Sequence, residues 1–281
     1  MRNAFFFILI ASLLGGCADE LTPVSRIERA RVLGARVDID GDATRATPNA
    51  GEAATVSWIV ATPDGEPADL AWAFVACTER GCHDQPFATG GGSGAVPSLE
   101  MTVPADASAP LWIAGVVCER GTPAYQPGAT LPTCDGDDAI ATPVELAIDV
   151  GTGNHHPSAG AFAVGGATWT GTTCDDAPTM HATKSIEMSW IASDDREAFA
   201  GVDGTPTREA LVLAAFATAG EMDDHFAAIE VTDDDLERTL AWKPPAADEL
   251  PGDGLPVQFT FVVRDGRGGI AATTRTLCLT R

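Results

Sequence analysis

From Glu28 onward the chain alternates short apolar runs with clusters of turn residues, the pattern of strands joined by turns. Ala30–Ile39 (ARVLGARVDI) comes first, and the turn-rich GDATRATPNAGE leads to Ala54–Thr62, where Val56, Trp58 and Val60 fall on one face. Leu70–Cys77, Leu99–Val103, Leu111–Cys118 and Val144–Val150 complete a first set, with a Gly-rich loop over Thr89–Gly94. The polar stretch GTGNHHP then marks a boundary. A second set follows: Ala161–Trp169, Ser185–Ser193, Glu209–Thr218, Phe226–Thr232, Thr239–Lys243, Val257–Arg264 and Ile270–Leu279. Glu209–Ala219 is rich in Ala and Leu and suits a helix equally well; it is read here as a strand. Trp58, Trp72, Trp112, Trp169, Trp190 and Trp242 lie on or beside these strands and are assigned mainly to the core. The pattern predicts an all-β chain of two tandem sandwiches, residues 28–150 and 159–281, joined by a linker at 151–158.

Ahead of the strands, Arg2 precedes an apolar segment from Phe5 to Leu14, about half the ~20 residues that a helix needs to cross a bilayer, which marks a signal peptide at 1–16. Leu14-Gly15-Gly16-Cys17 resembles the lipobox of bacterial lipoproteins. The resemblance implies cleavage before Cys17, a diacylglycerol on its sulfur, and membrane lipid as a partner. Residues 17–27 then read as a tether whose reach is at most ~35 Å. The implied address is the cell envelope, and Ala18, where an Asp would mark retention on the inner membrane, favours the outer one. No second run approaches membrane-spanning length.

Arg31-Val32-Leu33, the loop holding Pro48 and Gly51-Glu52, and the strand Trp72–Cys77 together resemble the Ig-like lipoproteins common in myxobacterial and related genomes, over roughly residues 1–150. Val257–Leu279, a hairpin around Asp265-Gly266-Arg267-Gly268-Gly269, is similar to the last hairpin of bacterial Ig-like or cadherin-like repeats. These resemblances imply two tandem Ig-like β-sandwich domains and export, with no assigned chemistry.

Of seven cysteines, six remain beside Cys17, an even number that argues for disulfides in an exported chain. In an Ig-like sandwich the third and sixth strands are antiparallel neighbours, so Cys77 and Cys118 stand at opposite ends of a sheet, beyond bridging distance. Cys77–Cys82 and Cys118–Cys134 are therefore expected as local staples. The first strand of such a sandwich runs parallel to the last, which brings Cys174 to Cys278.

Charge narrows the partners. Forty acidic residues oppose 17 basic ones for a net −23, or −24 once Arg2 leaves with the signal. Such a surface repels phosphate backbones, so nucleic acid is excluded as a partner. Asp38-x-Asp40-Gly41-Asp42 starts like a calcium loop, but its glycine is fourth instead of sixth and Asn49 stands where the loop needs Glu. Strand-end carboxylates in the second half, Asp194, Asp195 and Asp265 among them, are the weak calcium candidates; no other cofactor is expected. His155-His156 reads as a linker pair, with a pH-sensitive hinge as the sharper alternative. The chain carries no Gly-x-Ser-x-Gly, His-Glu-x-x-His, phosphate loop or Ser-x-x-Lys, so no catalytic residue is named and no enzyme is expected. The expected work is binding or spacing at the cell envelope, with loops such as His83–Val96 and Thr122–Asp138 meeting an envelope protein or polysaccharide. The rivals are a hydrolase using aspartates and a calcium-stabilised adhesin module.

Overall fold

The computed structural model describes residues 23–66, 68–83, 85–108, 110–125, 129–182, 184–201 and 204–281. The signal peptide and Cys17 lie outside the described residues. Among these residues the regular structure is entirely β. Arg31–Ile39 (β1), Ala53–Ala61 (β2), Leu70–Cys77 (β3), Ala88–Gly94 (β4), Ser98–Thr102 (β5), Leu111–Ala124 (β6) and Thr133–Ile148 (β7) build the N-terminal sandwich. One of its sheets has the order β1-β2-β5 and the other β4-β3-β6-β7. Val56, Trp58 and Leu99 from the first face Trp72, Phe74 and Ile113 from the second in one core, where Trp58 stacks on Phe74 with centroids 3.8 Å apart.

The C-terminal sandwich begins with Ala161–Val164 (β8), Ala167–Thr168 (β9), Thr179–His181 (β10) and Ile186–Ile191 (β11). A ribbon of Ala198–Ala200 (β12) and Pro206–Arg208 (β13) follows, then Leu211–Ala217 (β14), Glu221–Met222 (β15) and Phe226–Ile229 (β16). Glu237–Lys243 (β17), Leu255–Arg264 (β18) and Ile270–Thr280 (β19) close it. Its sheets run β15-β17-β11-β8-β9 and β10-β19-β18-β14-β16. Trp169 and Trp242 stand edge-on to Phe259, at 5.2 and 5.0 Å. Burying a tryptophan leaves its N–H in need of an acceptor; Trp169, Trp190 and Trp242 find theirs in the carbonyls of Thr276, Ala159 and Ala219, at 2.7, 2.9 and 3.1 Å.

Several elements differ from the sequence expectation. The Gly-rich stretch Thr89–Gly94 is not a loop but most of edge strand β4, paired residue by residue with β3. Glycine is a poor strand former on its own, and pairing with β3 overrides that weakness. Ala161–Trp169 is not one strand: it turns at Gly165-Gly166 into the β8–β9 hairpin. The chain then crosses to the opposite sheet, where β10 is the parallel neighbour of β19, while β8 pairs antiparallel with β11. Thr122–Asp138 is not an open loop either, because β6 and β7 continue pairing through Thr122–Asp135 and Ala124–Thr133.

All three disulfides join the expected partners: Cys77–Cys82, Cys118–Cys134 and Cys174–Cys278, with Cα separations of 5.4, 5.8 and 5.7 Å. Cys77 is opposite Trp112 while Cys118 is opposite Ala71, so these two do stand at opposite ends of the β3–β6 ladder. Cys174 reaches Cys278 from the crossing segment ahead of β10, and not from the end of a first strand parallel to the last.

The two sandwiches meet at a waist. Ile27, Leu33 and Ala61 pack with Ala214, Phe216, Val262 and Ile270 in a separate apolar cluster. Both faces of β14 are thereby covered: Leu213, Ala215 and Ala217 point into their own core, and Ala214 and Phe216 point at the N-terminal sandwich. At this contact a Cβ on Gly34 would lie 2.6 Å from Ile270 Cδ1 and 3.2 Å from Arg264 Nη2, so the ends of those side chains would have to shift to admit one. The segment expected as the end of a tether belongs to the waist as well. Ser25 and Ile27 are 2% exposed, and residues 25–27 pair with Ala217 as a short parallel addition, Ile27 N–H donating to the Ala217 carbonyl at 2.9 Å and Ala217 N–H to the Ser25 carbonyl at 2.9 Å. Residues 151–158 are likewise fastened and not a free linker: Asn154 is fully buried, its carbonyl accepting from Ala46 N–H at 2.8 Å.

Two outcomes are expected. Because the entropy a crosslink removes from the unfolded chain grows with the loop it closes, replacing Cys174 and Cys278 by Ser lowers the unfolding free energy by about 4–5 kcal/mol, against about 2 for Cys77 and Cys82; urea titration measures both. Phe216→Ala costs about 3 kcal/mol and enlarges the radius of gyration seen by small-angle scattering, while tryptophan fluorescence of the two cores is retained.

Candidate functional site

The strand-end carboxylates do not converge. Asp194 pairs with Arg208 at 3.3 Å on the surface, and Asp195 is exposed. Asp265 is 4% exposed and caps its own turn, accepting from the backbone N–H groups of Arg267 at 2.7 Å and Gly269 at 2.9 Å, and from Asn154 Nδ2 at 2.8 Å. Among the described residues no three His, Cys, Asp or Glu side chains are placed to hold a metal ion together. Asp42, in the stretch that starts like a calcium loop, caps a turn instead, accepting from the Thr44 hydroxyl at 2.7 Å.

The histidine pair lies in the waist with its two rings in different settings. His155 is exposed and pairs through Nδ1 with Glu197. His156 is half-buried between the sandwiches: its Nε2 lies 2.8 Å from the Val37 carbonyl, and its Nδ1 is 3.1 Å from the Ile270 N–H. A carbonyl can only accept and an amide N–H can only donate, so the geometry selects the neutral ring protonated on Nε2. Burial pushes the His156 pKa below its ordinary value, and the Val37 carbonyl pulls against that shift. Beside it, Arg267 bridges Glu209 at 2.8 Å and Glu197 at 3.3 Å and lies over the Phe199 ring, 4.2 Å from its centroid. Glu209, 2% exposed, is shifted upward by burial.

The two segments named as contact loops come together at a different place. Cys134 is opposite Pro123 in the β6–β7 ladder, about 16 Å along a straight strand from Cys118, yet their Cα atoms are 5.8 Å apart. The hairpin is therefore bent back on itself. The bend falls at the register shifts between Cys118 and Thr122, around Gly121 at φ +95°, where a Cβ would sit 2.6 Å from the Asp135 carbonyl. The folded arm lies on the outer face of β3 and β6, where Leu131 covers Val75, Ala114, Cys77 and Cys82 in a small satellite core.

Between the arm and β4 a groove of about 560 Å³ remains open. Ala73 and Val75 form its floor, Thr89, Gly90 and Gly91 of β4 one wall, and Tyr125 with Thr130 the other. Among the described residues no charged one lines it, although a fifth of the chain is charged. Tyr125 is 51% exposed, and partial desolvation raises its phenol pKa. The groove thus offers an aromatic face, threonine hydroxyls and the backbone of an edge strand. Tyr125, the single tyrosine of the chain, carries no signal of its own in the sequence because no motif surrounds it.

The fold defines a disulfide-clamped protein of two β-sandwiches. The chain matches no family model and no curated protein. Among solved structures, the Yersinia pseudotuberculosis adhesin InvE is similar over 89% of this chain at 14% identity, with a TM-score of 0.23; the chain spans 60% of that protein's length.

The setting of His156 predicts a pH dependence. With the folded pKa below the unfolded value, the unfolded chain takes up the proton first, so stability is complete above about pH 6.5 and falls as the pH drops below that value toward the folded pKa. Comparing urea midpoints of the protein and His156→Gln at pH 7.5 and pH 5.5 isolates this contribution, because the acidic groups, Glu209 included, are common to both; the variant loses less stability between the two pH values.

Proposed function

We propose that this chain is a lipid-anchored, extracytoplasmic binding protein of the cell envelope that presents the β3–β4 groove and carries out no chemistry. One observation carries the reading: the two segments that the sequence offers as contact loops meet around a single uncharged groove in an otherwise strongly acidic protein. Three disulfides support folding outside the reducing cytosol. The Cys118–Cys134 bridge holds the arm in place, so little ordering entropy is lost when a ligand enters. The uncharged lining suits a neutral ligand, a glycan or an uncharged segment of an envelope protein, with Tyr125 supplying contact area at low entropic cost. Acylation of Cys17 would set the groove at a fixed distance from the membrane.

The test is crosslinking in intact cells, followed by binding measurements with the identified protein or glycan. Tyr125→Ala removes about 2 kcal/mol of binding, a roughly 30-fold loss of affinity, and Thr130→Trp blocks the groove. Undiminished binding by both variants, with their unfolding curves unchanged, overturns the proposal.

A further inference from the structure

We propose that the body rests on the membrane by its waist, where an arginine patch beside the point of attachment meets anionic phospholipid headgroups. The inference rests on the acylation of Cys17 proposed above. It begins from where the chain enters the fold. Residues 25–27 are docked against Ala217, and Pro23, the first described residue, is six positions beyond Cys17; six residues reach at most ~20 Å. The lipid is therefore tied close to the junction of the two sandwiches and not to the far end of either.

The surface at that junction is unlike the rest of the protein. Four of the fifteen arginines, Arg26, Arg29, Arg31 and Arg36, fall within eleven consecutive positions of a chain whose net charge is −23. Three of them, Arg26, Arg29 and Arg31, surround a concavity of about 460 Å³ together with Pro23, Val24, Thr142 and one carboxylate, Glu28. Arg31 is held in place over the Phe216 ring, 5.1 Å from its centroid, and donates to the Val24 carbonyl. Arg29 is exposed. Arg26 pairs with Glu28 at 3.5 Å, both about half exposed, and such a surface pair contributes little and exchanges readily for a phosphate. Val24, 58% exposed, adds an apolar side chain at the rim. Burial, and to a lesser extent the neighbouring Arg29, depress the Arg31 pKa.

The acidity of the body does not forbid this contact. At physiological ionic strength a charge is felt over about 8 Å, so the headgroups sense the waist and not the distant carboxylates. Each arginine near an anionic surface is worth roughly a 5-fold change in binding. The acyl chains supply the anchorage, and the patch decides which face lies down.

The experiment uses residues 17–281, without the apolar segment of the signal peptide and carrying Cys17→Ser, which cannot be acylated, and vesicles of phosphatidylcholine with or without phosphatidylglycerol. Binding to the phosphatidylglycerol vesicles is expected, abolished by high salt and absent with phosphatidylcholine alone. Arg26→Glu and Arg29→Glu each weaken it roughly 5-fold or more, leaving Asp19 and Glu20 untouched, whereas Arg208→Glu, exposed on β13 away from the patch, does not. Equal binding to both kinds of vesicle, or binding indifferent to Arg29→Glu in a variant with unchanged unfolding, overturns the patch. Mass spectrometry of the native product reads the anchor separately: an unmodified Cys17 removes the tie that fixes the waist at the membrane and leaves the vesicle result standing, while an acylated Cys17 with no preference for phosphatidylglycerol retires the patch alone.

Discussion

The covering of β14 on both faces is the constraint from which the rest of this architecture follows. Leu213, Ala215 and Ala217 fill the C-terminal core, while Ala214 and Phe216 need a cover of their own and find it in Ile27, Leu33 and Ala61. A sheet with one apolar face too many cannot remain in water alone. That single demand fixes the neighbouring sandwich against it, recruits the N-terminal segment as an added strand, and turns an apparent linker into a packed seam. Most polar groups of the seam find partners: Asn154 Nδ2 with Asp265, His156 with Val37 and Ile270, Arg267 with Glu209 and Glu197; the buried Oδ1 of Asn154 is the exception among these groups.

The same logic repeats on a smaller scale at the groove. Along β3 the inward positions Leu70, Trp72, Phe74 and Ala76 belong to the main core, yet the outward Val75 and Cys77 are also buried, by Leu131 from the folded arm. The arm is kept there by a covalent clamp and a bend at Gly121. Covering the face only in part leaves the uncharged groove beside it.

The point at which the chain enters the body is set by the waist as well. Since the chain enters the body at Ser25–Ile27, between the sandwiches, an anchor a few residues upstream would hold the protein by its middle and leave both ends clear of the surface. The groove belongs to the β4-β3-β6-β7 sheet and the arginine patch to the opening of β1, so the two occupy different surfaces.

Periodicity and cysteine spacing determined the all-β character, the positions of most strands and the two short-range pairs Cys77–Cys82 and Cys118–Cys134, because alternation and strand ends are local properties; Cys174–Cys278 was expected from the strand order of an Ig-like sandwich and is reached by a different segment. The ambiguity of Glu209–Ala219 was also informative, since an unbroken apolar run is what a strand buried on both faces looks like. Tertiary structure alone decided what covers the second face of β14, that His156 and Asn154 are locked and not hinged, and that Thr89–Gly91 and Tyr125 line one groove. Each of these depends on residues far apart in sequence being brought to within a few ångströms. No local pattern records such an encounter, because the energy that selects it is the burial of one surface by another.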